Sequence, residues 1–475
     1  CGPAVHGIIG NEWHDRDNGE LVNCAYVERY RNIPAATTGL SKETQKKSKK
    51  GGAAPERMLA AAAGDVLKDA TAGKGRVVSL SLKDRGAVLP GGKKADACYW
   101  LDTHSGDFST STYYREGLHG WVAEFNRSRH VDRWFNRDWE RLRPMLDYQR
   151  HSGPDDVVGE ALGYSQGRTF PHPMSDLSDR PDRLYYEALY NSPFANDLLL
   201  ALARKAIDAE QLGQDDVPDL LCLSFSANDP VGHCWGPDSQ EVLDVTLRAD
   251  LIVADLLSYL DARVGKGRYV LVLSADHGVV PLPEVARAQG KSAGRVSPEL
   301  LRQKANAHLN DVLGPEGESV RWIDALDNGW FYLNLRRLKE QGLAPAKGEQ
   351  ALADWVGKQP GVQAAYTRTQ LLAGAADEDP VRAAVARSFY PARSGDVAVV
   401  LKPYHQWLGR LTGTTHGSPH DYDTHVPLLV FGAGVRPGTR ADRVTPLAAA
   451  ACLYHALRLR PPDTCHTPVP PNLFE

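Results

Sequence analysis

The stretch that most constrains the fold is Arg268–Gly278, which reads Arg-Tyr-Val-Leu-Val-Leu-Ser-Ala-Asp-His-Gly. Its apolar run, Tyr269–Leu273, contains β-branched residues and does not alternate, which predicts a strand buried on both faces. The run stops at small residues and then delivers Asp276 and His277 side by side. In open α/β sheets, ligands bind at that place, outside the carboxyl ends of the strands. Alone the pair also fits a plain turn, because Asp and Gly are turn formers. Repetition of the pattern is what gives it weight.

Arg76–Leu82 reads as a second buried strand and ends in Lys83, Asp84 and Arg85. A third, Asp219–Phe225, ends in the polar cluster Asn228–His233. A helix follows, with Asp238 and Glu241 spaced as a capping box. Val242, Val245, Ala249, Ile252, Leu256 and Leu260 make one apolar face at helical spacing. Leu247 and Leu251 lie off that face, so the helix is expected to be covered on more than one side. Gly265 ends it. Strand, helix and strand in this order predict a right-handed crossover within a parallel sheet. Further on, Gly413–Gly417 is a polar loop holding His416, Val426–Phe431 returns to a buried strand, and a last helix covers about 446–457.

Elsewhere, Pro55 is positioned to open a helix over 56–69, Pro90-Gly91-Gly92 reads as a turn, and 192–211 is helical. Residues of about 95–190 are rich in Trp, Tyr, Arg and Asp and read as a loop-rich segment covering the core. From 281 to 404 the pattern changes to shorter helices and alternating strands, clearest at Trp330–Leu335 and Asp396–Leu401. The expected fold is α/β: a doubly wound, mostly parallel sheet flanked by helices, formed by 1–280 and 405–475, with an inserted α+β subdomain at 281–404.

With 475 residues the chain exceeds one ordinary core. A net charge of −4 gives no bulk electrostatic case for nucleic acid or membranes. The lysine-rich stretch 41–52 reads as a solvated loop. No apolar run approaches ~18 residues, so no transmembrane helix is expected. The seven cysteines contain no Cys-x-x-Cys pair, which argues against a cysteine zinc site. Cys222 sits in an apolar run as a small core residue, and Cys452 with Cys465 could bridge a C-terminal loop.

Three strand ends thus deliver Asp229 and His233, then Asp276 and His277, then His416. Five oxygen and imidazole ligands without thiolate suit zinc in a hydrolytic site, with manganese or iron also compatible. Five exceed the three protein ligands usual for one catalytic zinc, which points to two ions. A two-metal clamp with ions about 4 Å apart suits in-line displacement at phosphorus. The natural division is Asp229, His233 and His416 on one ion and Asp276 with His277 on the other, which then lacks ligands.

Asp-x-x-x-His, then Ser-Ala-Asp-His-Gly, then Thr-His-Gly before a Val-Pro-Leu strand resembles the alkaline phosphatase superfamily. The match is to its type I phosphodiesterase/nucleotide pyrophosphatase-related alkaline phosphatases with a threonine nucleophile. Val5–Trp13 resembles the family's loop after the nucleophile, and Ser81–Arg85 its phosphate-contacting segment. The resemblance implies two zinc ions, hydrolysis of small phosphate monoesters, and a periplasmic or secreted location. It implies that Asn11 donates to one phosphoryl oxygen and that Lys83 and Arg85 contact the others. It selects His416 over His420 and His425 as the ligand, and leaves His6 and His14 as structural residues. A dianionic monoester suits a Lys-plus-Arg pair better than a diester does.

In this family the threonine lies about twenty residues before the asparagine, so the nucleophile, the first strand and its Asp ligand are expected upstream of Cys1. On that reading the sequence given is a weak catalyst by itself. Alternatives are a phosphodiesterase or nucleotide pyrophosphatase on the same scaffold, and a non-catalytic phosphate- or metal-binding lipoprotein acylated at Cys1. A sulfatase-type Cys-x-Pro-x-Arg site is excluded, since Val5 stands where arginine is needed.

Overall fold

The computed structural model describes residues 1–34, 49–175, 179–315, 319–374 and 379–475. Most of the lysine-rich stretch lies outside the described residues. The chain forms two compact units. One comprises Cys1, Ala25–Asp276 and Val426–Glu475; the other comprises Gly2–Cys24 and His277–His425.

The first unit is built on β1 (Val77–Ser81), which is buried along its whole length. It pairs in parallel with β2 (Ala97–Asp102) on one side and β4 (Leu220–Ser224) on the other. β3 (Asp107–Ser111) runs antiparallel to β2, and the short strand Asn32–Ile33 runs antiparallel to β3. The sheet is therefore mixed rather than mostly parallel. β2 and β3 are joined by a tight turn in which the Gly106 N–H donates to the Asp102 carbonyl (2.8 Å), and a connection that short permits only an antiparallel pair. Both strands come from the segment expected merely to cover the core. The rest of it does cover: Trp139, Met174, Tyr185 and Leu189 pack with Leu80, Tyr99 and Leu199 in one apolar cluster.

Several helices differ from expectation. α1 (Ala63–Ala70) starts seven residues late, because Pro55 opens a turn closed by the Met58 N–H on the Pro55 carbonyl (2.9 Å). Pro90 and Gly91 finish α2 (Asp84–Gly91) instead of forming a free turn, and Gly92, at φ +73°, ends it. α3 (Phe194–Ala209) and α4 (Asn228–Trp235) flank the sheet. α5 (Gln240–Leu260) is capped by Ser239, whose hydroxyl accepts from Val242 N (3.1 Å), not by Asp238. Glu241 is instead buried against His172, Oε1 to Nε2 at 3.0 Å. Leu251 is 42 % exposed, so its side of α5 is uncovered.

β5 (Val270–Ser274) pairs antiparallel with β6 (Leu428–Gly432) in a two-stranded ribbon and shares no ladder with β4 among the described residues. The expected crossover unit thus spans two separate ladders. Nor is either strand deeply buried: β5 is half-buried, and Leu429 and Phe431 are 56 % and 50 % exposed. A strand with one ladder neighbour keeps an open edge, so an unbroken apolar run does not guarantee burial. α6 (Ala448–Ala456) packs against β5. Cys452 and Cys465 are both thiols, not a disulfide.

The covering segment is fastened to α5 by buried polar groups. Asp244 accepts from Trp139 Nε1 (2.8 Å), Leu142 N (2.6 Å), the Tyr148 hydroxyl (2.6 Å) and Arg248 Nε (2.6 Å). Glu160, 1 % exposed, accepts from Val157 N at 3.1 Å. Burial, with Glu241, Asp156 and Asp155 adding their charge, pushes its carboxyl up to about 8.

In the second unit, strands Ile323–Asp327, Trp330–Leu333, Val397–Leu401 and Val362–Thr367 form an antiparallel sheet in that order. Helices Pro298–Leu313 and Pro345–Val356 bury Leu301, Leu309, Leu352 and Val356 against Phe331, Val399 and Leu401. Tyr332, Phe389 and Val400 pack in a second cluster. Segment Gly2–Cys24 belongs here: Arg393 lies over Trp13 (4.9 Å), Arg16 pairs with buried Asp396 (2.8 Å), and His14 meets Tyr332 edge-on (5.2 Å).

Candidate metal and phosphate site

Parallel pairing of β1 and β4 sets Ser81 opposite Ser224, so the two strands end at the same edge. Ser226 Oγ ties the ends together, 3.4 Å from Ser81 Oγ and 2.9 Å from Ser224 Oγ. The residues after β1 and β4 are thereby brought together: the Lys83 ammonium contacts Asp229 Oδ2. α4 places His233 one turn after Asp229 on the same face, with Nε2 3.3 Å from Asp229 Oδ1. The opposite face of α4 is fixed by buried Val231, Cys234 and Trp235, and its start by Asn196, whose Oδ1 accepts Ala227 N (3.2 Å).

The charges follow from this packing. Burial alone would raise the Asp229 carboxyl, but the hydrogen bond from His233 and the Lys83 charge outweigh it and hold the group well below the usual carboxylate range. Lys83 does not pair with its sequence neighbour Asp84. That buried carboxylate is taken by Lys49, with Arg85 Nη1 at 4.0 Å, and despite burial these cations keep it low. Arg85 sits in the first turn of α2, where N–H groups and helix dipole favour anions. Gly86 is required at this approach: a Cβ there would lie 2.5 Å from Ser81 Oγ. The Tyr190 hydroxyl, pushed far up by burial and by the Asp229 charge, lines the same region, and nothing in the sequence pattern singled it out.

Asp276 lies two residues past β5, at the end of the first unit. In the second unit, His277 and His416 stack with ring centroids 3.4 Å apart and planes 12° apart. Their loops are laced together. Val280 N donates to Thr415 O (3.0 Å), and Thr414 Oγ1 donates to Val280 O (2.6 Å) and Gln406 Oε1 (2.8 Å). Gly278 N donates to Asp423 O (2.8 Å), and Asp423, which the sequence reading passed over, is buried beside these loops. A Cβ on Gly278 would meet Tyr422 O at 2.0 Å, so glycine is obligatory there.

Asn11 is exposed, with its carbonyl accepting Cys24 N (2.9 Å). Two of the histidines set aside have other partners: His6 Nδ1 accepts Ile8 N (3.1 Å), and His420 Nε2 meets Leu401 O (2.9 Å). The donor set fits divalent cations of the zinc class, since Asp229 with His233 and the stacked His277 and His416 offer oxygen and imidazole nitrogen.

The sequence profile described as type I phosphodiesterase / nucleotide pyrophosphatase matches residues 2–423. The chain belongs to this family. Within the family it is similar to the alkaline phosphatase PhoV of Synechococcus elongatus, at 33% identity over 437 residues, covering 92% of this chain and 75% of PhoV. It is equally similar to the alkaline phosphatase PafA of Elizabethkingia meningoseptica, at 33% over 441 residues, covering 92% and 76%. A crystal structure of alkaline phosphatase PafA superposes with a TM-score of 0.89 and 29% identity, covering 100% of this chain and 87% of that one. The family's α/β architecture, a mixed sheet flanked by helices, is thus shared along the whole chain.

Proposed function

We propose that the protein is a metal-dependent phosphomonoesterase. The observation that supports this most is the juxtaposition of Lys83 and Arg85 with Asp229 and His233 at one edge of a parallel strand pair, in a family whose similar members are alkaline phosphatases. In this reading Asp229, His233 and His416 hold one zinc ion, and Asp276 and His277 contribute to a second. Bound zinc supplies positive charge to the oxygens of the phosphoryl group.

The chain's own residues do the rest. Lys83 and Arg85 bind two non-bridging oxygens of a phosphate monoester, and Asn11 donates to the third. Lys83, which pairs with Asp229 in this structure, would be free to bind substrate if Asp229 held a metal ion. The resemblance assigns phosphoryl transfer to a threonine and then to water, and a periplasmic or secreted location.

The family also contains phosphodiesterases by its description, and the test separates the two. The protein expressed from its whole gene is assayed with 4-nitrophenyl phosphate and bis(4-nitrophenyl) phosphate. Replacing Lys83 and Arg85 by Ala is expected to lower kcat/KM for the monoester about 100-fold more than for the diester, the loss of roughly two charge-assisted contacts. Equal losses on both substrates would overturn the monoesterase reading.

A further inference from the structure

We propose that Asp423 is a positioning residue that sets His277 and His416 for metal binding; this rests on the metal-dependent reading above. Three observations within the second unit carry it. First, Asp423 bonds to both histidine loops at once. Its carbonyl accepts the N–H of Gly278, the neighbour of His277, at 2.8 Å. Its Oδ2 accepts the N–H of Ser418, two residues after His416, at 2.7 Å. The short helix Asp421–Thr424 that carries it is itself held by the Tyr422 hydroxyl, which accepts Tyr404 N at 3.0 Å.

Second, the carboxylate is 3 % exposed, and its other oxygen, Oδ1, is buried with no hydrogen-bond partner among the described residues. A buried carboxylate oxygen left without a donor is costly, and a chain keeps one where a positive group balances it. Burial raises this carboxyl, and the Ser418 hydrogen bonds and the His277 charge act against that rise. An imidazole that ligates a cation becomes such a positive group, and metal-bound histidines are usually supported by a nearby carboxylate or carbonyl.

Third, the ring orientation is already prescribed. His277 Nδ1 lies 2.8 Å from the Gly278 carbonyl, which can only accept, so this nitrogen carries the proton and Nε2 is the unprotonated nitrogen that would ligate an ion. The Gly278 peptide whose carbonyl takes that proton is the one whose N–H Asp423 holds. One residue therefore fixes the backbone on which the tautomer depends and places its carboxyl within electrostatic reach of His277. A purely structural role would need the backbone bond and the Ser418 bond but not the ionised carboxylate.

The test compares the wild type with Asp423→Asn, which keeps an oxygen for Ser418 and removes the charge. Both are stripped with chelator, and zinc affinity is measured by calorimetric titration alongside thermal melting of the metal-free forms. The expected result is zinc binding weakened about 10- to 100-fold with metal-free melting unchanged. Unaltered zinc affinity, with or without a lower melting temperature, overturns the proposal. A wild type that takes up no zinc overturns the metal reading itself, which keeps the two failures distinct. Should Asp423→Asn not fold, nitrogen-15 spectra of the metal-free wild type serve instead. A single Nδ1-protonated tautomer at His277 supports the proposal, and a mixture of tautomers overturns it.

Discussion

Glu160 makes stability depend on pH in a way that a single substitution exposes. Its carboxyl moves from 4.5 when exposed to about 8 in the fold, because burial and then the charge of Glu241 oppose ionisation. The folded pKa is raised, so the folded chain binds the extra proton between those values and the unfolded chain does not. Stability from this group is fully present below pH 4.5, falls as pH rises towards 8, and is gone above it. At ~1.4 kcal/mol per unit, the whole shift corresponds to at most ~5 kcal/mol. Relaxation of the surroundings around the charged carboxyl reduces this to about 2–3 kcal/mol.

Glu160→Gln is permanently neutral and retains an acceptor for Val157 N. Urea denaturation at pH 5 and pH 9 should therefore show the variant gaining about 2–3 kcal/mol over wild type on going to the higher pH, or roughly 2–5 °C in Tm for a chain of this size. Parallel pH dependences in the two proteins would refute the reasoning.

Two other substitutions test the packing. Asp244→Ala leaves Trp139 Nε1, Leu142 N, the Tyr148 hydroxyl and Arg248 without their shared acceptor. It should cost about 3–5 kcal/mol in urea denaturation, and a loss below ~1 kcal/mol would show that water replaces it. Gly278→Ala forces a carbon to 2.0 Å from Tyr422 O. It should displace His277 and weaken zinc binding by calorimetry by at least about tenfold, whereas wild-type affinity would show that the loop adjusts freely.

The strand ends were legible because they rest on local chemistry: an apolar run followed by small and charged residues marks Val77–Ser81, Leu220–Ser224 and Val270–Ser274 within a residue or two. Partnership was not legible. Nothing in Val270–Ser274 distinguishes a central strand from one that pairs with a single neighbour, because ladder partners are chosen by distant residues. β2 and β3 were hidden by their aromatic and polar composition, which resembles surface structure until Trp100 and Phe108 are seen inside. In the candidate site, Lys83 was expected at a phosphate, and its pairing with Asp229, 146 positions away, is made by the sheet and by nothing local. Asp423 escaped notice because Asp421-Tyr-Asp423 has the composition of an ordinary surface turn.

The register of Ser81 against Ser224 has a wider consequence. The cation of one turn meets the carboxylate of another through hydrogen-bonded backbone, the least deformable connection a protein offers. Drift in outlying segments can reshape what surrounds an ester's leaving group without retuning that encounter. Selectivity among substrates and the machinery for cleaving them can then diversify on separate evolutionary schedules.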